Sequence, residues 1–132
     1  MIGICVVSHS AKAAEGIAEI ASQMSGGIVP VRAVGGTEEG GLGTSVPGIV
    51  EALGGLLEKA EGVVLVPDLG SAVLSARSAL EFLGDDAKKV LIVDAPVLEG
   101  AMMASVEASI GSSLERVAQV AGEARLLSKL SR

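Results

Sequence analysis

The chain of 132 residues contains no tryptophan or tyrosine, and Phe82 is its sole aromatic side chain. It has one cysteine, Cys5, and one histidine, His9. Each scarcity excludes something. A lone cysteine inside an apolar run reads as core packing and gives neither a disulfide framework nor a cysteine metal site. One histidine among scattered carboxylates makes no spaced ligand cluster, so no metal is expected. The net charge is -6 and the ten Lys and Arg form no basic run, which argues against nucleic acid. The stacking aromatics of single-strand binders are missing too. No apolar run approaches the roughly 20 residues that span a bilayer, and the N-terminus lacks the basic region of a signal peptide. The expected setting is therefore cytoplasmic, without a membrane partner.

What is present is aliphatic. Hydrophobic residues make up 49% of the chain, so the core must be Val, Leu, Ile and Ala, as in sheets covered on both faces by helices. The length suits one domain, residues 1–132. Strand-like runs at about 2–7, 28–34, 63–66 and 90–93 alternate with helical patterns at about 11–25, 46–60, 72–83, 98–110 and 112–130. Ile17, Ile20, Ala21 and Met24 share a face of the first helix. Leu127 joins the apolar face of the last. Ser10 is placed to cap the first helix, Ser112-x-x-Glu115 reads as a capping box for the last, and Pro30 hints at an edge strand. Gly54-Gly55 weakens the second helix but permits close packing on the sheet. Strand-helix alternation implies a single-domain α/β fold: a four-stranded parallel sheet with helices on both faces.

In such a sheet the carboxyl ends of all strands lie on one edge, where α/β proteins bind ligands. That edge collects Ser8-His9-Ser10, the glycine-rich stretch 35–45, Pro67–Ser71 and Asp94–Pro96. Imidazole is suited to nucleophilic and proton-transfer work near neutral pH, and Asp68 is its natural partner: a carboxylate on one ring N–H leaves the other nitrogen free. Asp68 could instead cap the following helix, and for Asp94 capping is the favoured role. The glycine-rich stretch has no lysine and fails the P-loop pattern, yet its amides with Thr37, Thr44 and Ser45 suit transient contact with one phosphoryl group. G-x-S-x-G is absent as well. A nucleophilic histidine requires the fewest partners.

The loops Val7-Ser8-His9-Ser10, Gly35-Gly36-Thr37, Leu42-Gly43-Thr44-Ser45, Asp68-Leu69-Gly70-Ser71-Ala72 and Ala95-Pro96-Val97-Leu98-Glu99-Gly100-Ala101 together resemble one family. It is the phosphotransferase (DhaM) subunits of phosphoenolpyruvate-dependent dihydroxyacetone kinase, which are similar to mannose-type EIIA domains. The resemblance implies an EIIA-mannose-like fold, usually dimeric, and a phosphocarrier. His9 would take a phosphoryl group, the tele nitrogen being the candidate acceptor. The donor would be the phosphocarrier protein HPr, charged by enzyme I from phosphoenolpyruvate. His9 would then pass the group to ADP on the DhaL subunit, which with DhaK phosphorylates dihydroxyacetone. Asp68 would orient the ring, and Ser10, Gly36, Thr37, Gly70 and Ser71 would contact the phosphoryl group. No cofactor is implied. Pro67 stands where relatives often carry an aliphatic residue or Met, which puts the presentation of Asp68 in question. Glu38 and Glu39 are expected to face solvent, since inward carboxylates would repel the phosphoryl group. Two alternatives remain at this stage: an EIIA component of a mannose-type sugar transporter, and a non-catalytic module binding a small anion on the same rim.

Overall fold

The computed structural model describes residues 1–130. Strand β1 (Ile2–Ser8) and strand β3 (Gly62–Pro67) are buried along their whole length. Continuous apolar runs of this kind suit central parallel strands packed on both faces. They pair with each other, β2 (Val31–Gly35) flanks β1, and β4 (Val90–Ile92) flanks β3, giving a four-stranded sheet of order β2-β1-β3-β4. Every pairing is parallel.

Side chains alternate across the sheet. Ile2, Ile4, Val6, Val64 and Val66 pack with alanines of α1 (Ala11–Met24) and α4 (Val97–Ser109) and with Val117 and Ala121 of α5 (Leu114–Glu123). Cys5, Val7, Val63 and Leu65 face Ile49, Leu53 and Leu56 of α2 (Val46–Leu57) and Ala72, Ala76 and Ala79 of α3 (Gly70–Leu80). A core without aromatics must be thin, and small residues on the helices make it so. At Gly100 of α4, an added Cβ would lie 2.7 Å from the Ala95 Cβ and 3.4 Å from Val66 Cγ1. Among the described residues, no helix is long and apolar enough to cross a membrane.

The alternation expected from sequence is present, with shifts at its margins. Ser10 caps α1, accepting from the Ala13 N–H at 3.2 Å. Ile17 and Ala21 pack into the core, but Ile20 and Met24 are exposed, so the apolar stripe of α1 is narrower than its spacing suggests. β2 begins at Val31 rather than 28, because Pro30 has no N–H to offer; its carbonyl accepts from Ile4 at 2.9 Å, and β2 does lie at an edge. Gly55 approaches the Arg32 guanidinium of β2, where an added Cβ would lie 2.7 Å from Nη1, whereas Gly54 faces open space. The close approach is thus to an edge-strand side chain. Gly84–Lys89 forms a 3-10 turn before β4 that periodicity does not reveal.

The last helix is corrected at both ends. Its cap is Ser113, which accepts from the Arg116 N–H at 3.2 Å, whereas the Ser112 hydroxyl is drawn to the Glu107 carboxylate of α4. The helix ends at Glu123, followed by a 3-10 turn at Ala124–Leu126, so Leu127 lies beyond the helix and is exposed.

Two glycines test this packing in opposite directions. A Cβ at Gly35 would lie 2.5 Å from the Ser10 carbonyl oxygen, where the end of β2 meets the start of α1. Gly35→Ala is expected to destabilise by about 1–3 kcal/mol through forced backbone movement. Gly54→Ala, in the interior of α2, is expected to stabilise by about 0.5–1 kcal/mol. Urea unfolding midpoints of the two variants check both signs.

Candidate functional site

The helix after β1 packs on one face of the sheet and the helix after β3 on the other. The chain therefore parts between the ends of two adjacent strands, the arrangement that opens a crevice in α/β folds. Register decides what stands there. Val7 is opposite Pro67, and the Asp68 N–H donates to the Val7 carbonyl at 3.0 Å, so residues 8 and 9 emerge beside residue 68. Pro67 leaves this bond intact.

Asp68 is the hub. Its Oδ2 accepts from the Ser8 hydroxyl at 2.9 Å and from the His9 main-chain N–H at 3.0 Å. Its Oδ1 lies 2.9 Å from His9 Nδ1. Burial pushes the Asp68 pKa up, but the His9 main-chain N–H, the His9 ring and the Ser8 hydroxyl together hold it below the ordinary value of 3.8. An ionised carboxylate only accepts, so Nδ1 must carry a proton. A neutral His9 ring then has its lone pair on Nε2. That nitrogen faces the Ser71 hydroxyl, 2.5 Å away, from the first turn of α3. The His9 side chain is 25% exposed, enough for a partner to reach one ring edge.

The remaining residues expected at the site are placed differently. Ser10 holds the rim from below: its N–H donates to Ser8 Oγ at 3.1 Å while its own hydroxyl caps α1. Gly36 adopts φ +79°, a conformation that favours glycine, and leads into Thr37. Thr37 is bonded to its own loop through the Gly41 N–H and carbonyl, at 3.0 and 2.9 Å. The loop reaches His9 through its main chain, where the Gly43 N–H donates to the His9 carbonyl at 2.8 Å. Gly70 opens α3, whose N-cap position, Leu69, supplies no side-chain cap, so amides of that first turn are left toward the rim. Asp68 therefore does not cap α3. Asp94 is not a cap either: it is exposed, and α4 starts from Pro96 without a side-chain cap. It precedes the cap position, which Pro96 occupies, and has no place in the helix start. Glu38 and Glu39 are exposed, as solvent-facing carboxylates should be.

Sequence reasoning missed three participants. Ser8 bonds Asp68, and the signal was a hydroxyl ending an otherwise apolar buried strand. Ser75 pairs its hydroxyl with that of Thr44 at 2.6 Å and ties the glycine-rich loop to α3. Ser75 lies one turn beyond Ser71, which is the pattern that could have found it. Arg77 lines a cleft of about 380 Å3 with Asp68, Gly70 and Asp94, on the α3 face marked by Gly70, Val73 and Arg77. Among the described residues, no group of three or more His, Cys, Asp and Glu could hold a metal. Cys5 is fully buried, and burial pushes its thiol up to about 12 despite the Arg32 charge, so it is no nucleophile.

Because folding lowers the Asp68 pKa, its carboxylate adds stability above the unfolded value. That contribution is lost as pH falls through the lower folded value. Asp68→Asn is therefore expected to be less stable than the wild type at pH 7, with the gap narrowing below about pH 4. Thermal unfolding of both proteins from pH 3 to pH 7 measures it.

Residues 3–118 match the family model EIIA-man, described as the PTS system fructose IIA component. The chain is 39% identical over 120 residues to the phosphoryl donor subunit DhaM of PEP-dependent dihydroxyacetone kinase 2 from Listeria innocua, covering 90% of this chain and 95% of that protein. It is 34% identical over 121 residues to the corresponding DhaM subunit of Escherichia coli, where it spans 89% of this chain but 25% of the relative. A solved protein of unknown function superposes with a TM-score of 0.82 at 32% identity, covering 92% of this chain and 93% of its own. The phosphotransferase system component EIIA from Streptococcus agalactiae shares the fold, with a TM-score of 0.71 at 19% identity over 99% of this chain and 98% of its own. With a four-stranded parallel sheet and these relatives, the chain belongs to the mannose-type EIIA family, among its DhaM phosphotransferase subunits.

Proposed function

We propose that this chain is the phosphoryl carrier of a dihydroxyacetone kinase system, with His9 as the phosphorylated residue and residues 1–132 acting as one carrier domain. The observation that carries the proposal is the His9 ring. Nδ1 is held by Asp68 and Nε2 is directed at an accessible hydroxyl on the sheet edge. A ring tied at one nitrogen offers the other as a nucleophile of fixed direction.

In the loading step, the Nε2 lone pair forms a bond to phosphorus as the P–N bond of phosphorylated HPr breaks. The electron pair of that bond returns to the donor's imidazole. In the delivery step, a β-phosphate oxygen of ADP bound to DhaL forms the new P–O bond, and the pair of the breaking P–N bond returns to Nε2. Positive charge develops on the His9 ring during loading, and the Asp68 carboxylate 2.9 Å from Nδ1 offsets it. Ser71, with the amide of Gly70, supplies donors to the equatorial oxygens, and in-line transfer is helped by positioning more than by covalent chemistry. Gly36, Thr37 and Ser10 complete the rim, Thr37 chiefly by shaping its loop. The working partners are HPr, DhaL and DhaK in the cytoplasm, and the carrier acts as a homodimer.

Incubation with phosphoenolpyruvate, enzyme I and HPr is expected to add one acid-labile phosphoryl group, read by intact mass. His9→Ala should take none; equal labelling of that variant sinks the proposal. Asp68→Asn should slow loading about 10- to 100-fold, by analogy with other partners that orient a functional imidazole. Transfer from the loaded chain to ADP on DhaL, rather than to a sugar-transport component, separates this reading from the transporter one. Ligand binding without labelling would instead support an anion-binding module.

A further inference from the structure

Ser8 is the least accessible polar residue of the site, at 3% exposure, on a strand whose other residues are all buried and none of them charged. Its hydroxyl has two partners. The Ser10 N–H donates to Oγ at 3.1 Å, so that contact engages an oxygen lone pair. The single hydroxyl proton is thereby left for Asp68 Oδ2, 2.9 Å away. The torsion that turns a carboxylate is broad and roughly two-fold, so one bond seldom fixes it. Here Oδ2 receives both the Ser8 hydroxyl and the His9 N–H, which leaves Oδ1 as the oxygen presented to Nδ1.

We propose that Ser8 is a positioning residue for His9: acting through Asp68, its buried hydroxyl fixes the rotation of the carboxylate, so that an acceptor oxygen is held against Nδ1 and the ring proton is kept on that nitrogen. Ser8 also carries the position of the α1 N-terminus to the carboxylate, since the amide that it accepts from belongs to the residue capping that helix. Arg77 and Asp94 line the cleft beside Asp68, but neither bonds it among the described residues. Removing the Ser8 hydroxyl leaves Oδ2 with one main-chain donor and strips the Ser10 N–H of its acceptor. As a statement about transfer rate this rests on the function proposed above; as a statement about the carboxylate and the ring it does not.

Because the chain has one histidine, a 15N-histidine sample reports one ring. Aspartate carboxyl 13C signals, with Asp68 assigned by its loss in Asp68→Asn, report the carboxylate. Ser8→Ala is expected to raise the Asp68 titration midpoint and to shift the ring nitrogens toward a mixture of tautomers, while Ser8→Thr restores both. Loading from phosphorylated HPr is expected to slow on the order of tenfold in Ser8→Ala, the size of a lost hydrogen bond to a charged group. On the Asp68→Asn background, Ser8→Ala should add no further change in ring signals or rate. Should Ser8→Ala fail to fold, Ser8→Cys, nearly isosteric with a weak donor, serves for the same comparison. An unchanged midpoint and tautomer in the Ser8 variant overturns the proposal, as does an equal loss of rate on both backgrounds. If the wild type accepts no phosphoryl group, the functional reading falls, and the two titrations still decide the role of Ser8.

Discussion

The site depends on the registration of β1 against β3. Parallel neighbours lie about 4.8 Å apart, and their side chains alternate with a period of two. A slip of one residue would turn Ser8 and Asp68 to unrelated positions and move Ile4 and Val6 to the opposite face of the sheet. The register is fixed by burial on both sides, because each face of these strands is covered by its own helices. The same packing that stabilises the sheet therefore sets the distance between carboxylate and imidazole. Fold and site are one constraint.

Alanine supplies the rest of the rigidity. Ala72, Ala76 and Ala79 bring α3 down onto the sheet, and Ala14 and Ala21 do so for α1. These helices begin at the rim, carrying Ser71 and Ser10, so their closeness to the strands decides how near those groups come to His9. A bulkier core would lift the helix starts and widen the crevice. The scarcity of aromatics is thus connected to the geometry of the rim through thin layers.

Much of this was legible in the chain. Continuous apolar runs marked the central strands. One histidine at a strand end pointed to the sheet edge, where the structure does pair it with Asp68. What escaped reading were contacts set by tertiary geometry. Choosing between Ser112 and Ser113 as a cap requires knowing that Glu107 attracts the former. Assigning Asp94 to solvent needs the path of the loop before α4. That the Thr37 hydroxyl oxygen accepts from the Gly41 N–H of its own loop follows from the path of that loop, not from composition. Ser8 reads as an ordinary strand residue until the register places it against a carboxylate.

The Ser71 hydroxyl stands over Nε2 of the His9 ring. It belongs to an exposed residue in a first helical turn, where side-chain rotation takes picoseconds to nanoseconds. Encounters between proteins are slower by orders of magnitude. Rotation of this one side chain would therefore uncover Nε2 many times within a single encounter. Under the carrier role proposed above, traffic through the ring would be governed by how often and how well partners dock, and not by motion inside this domain.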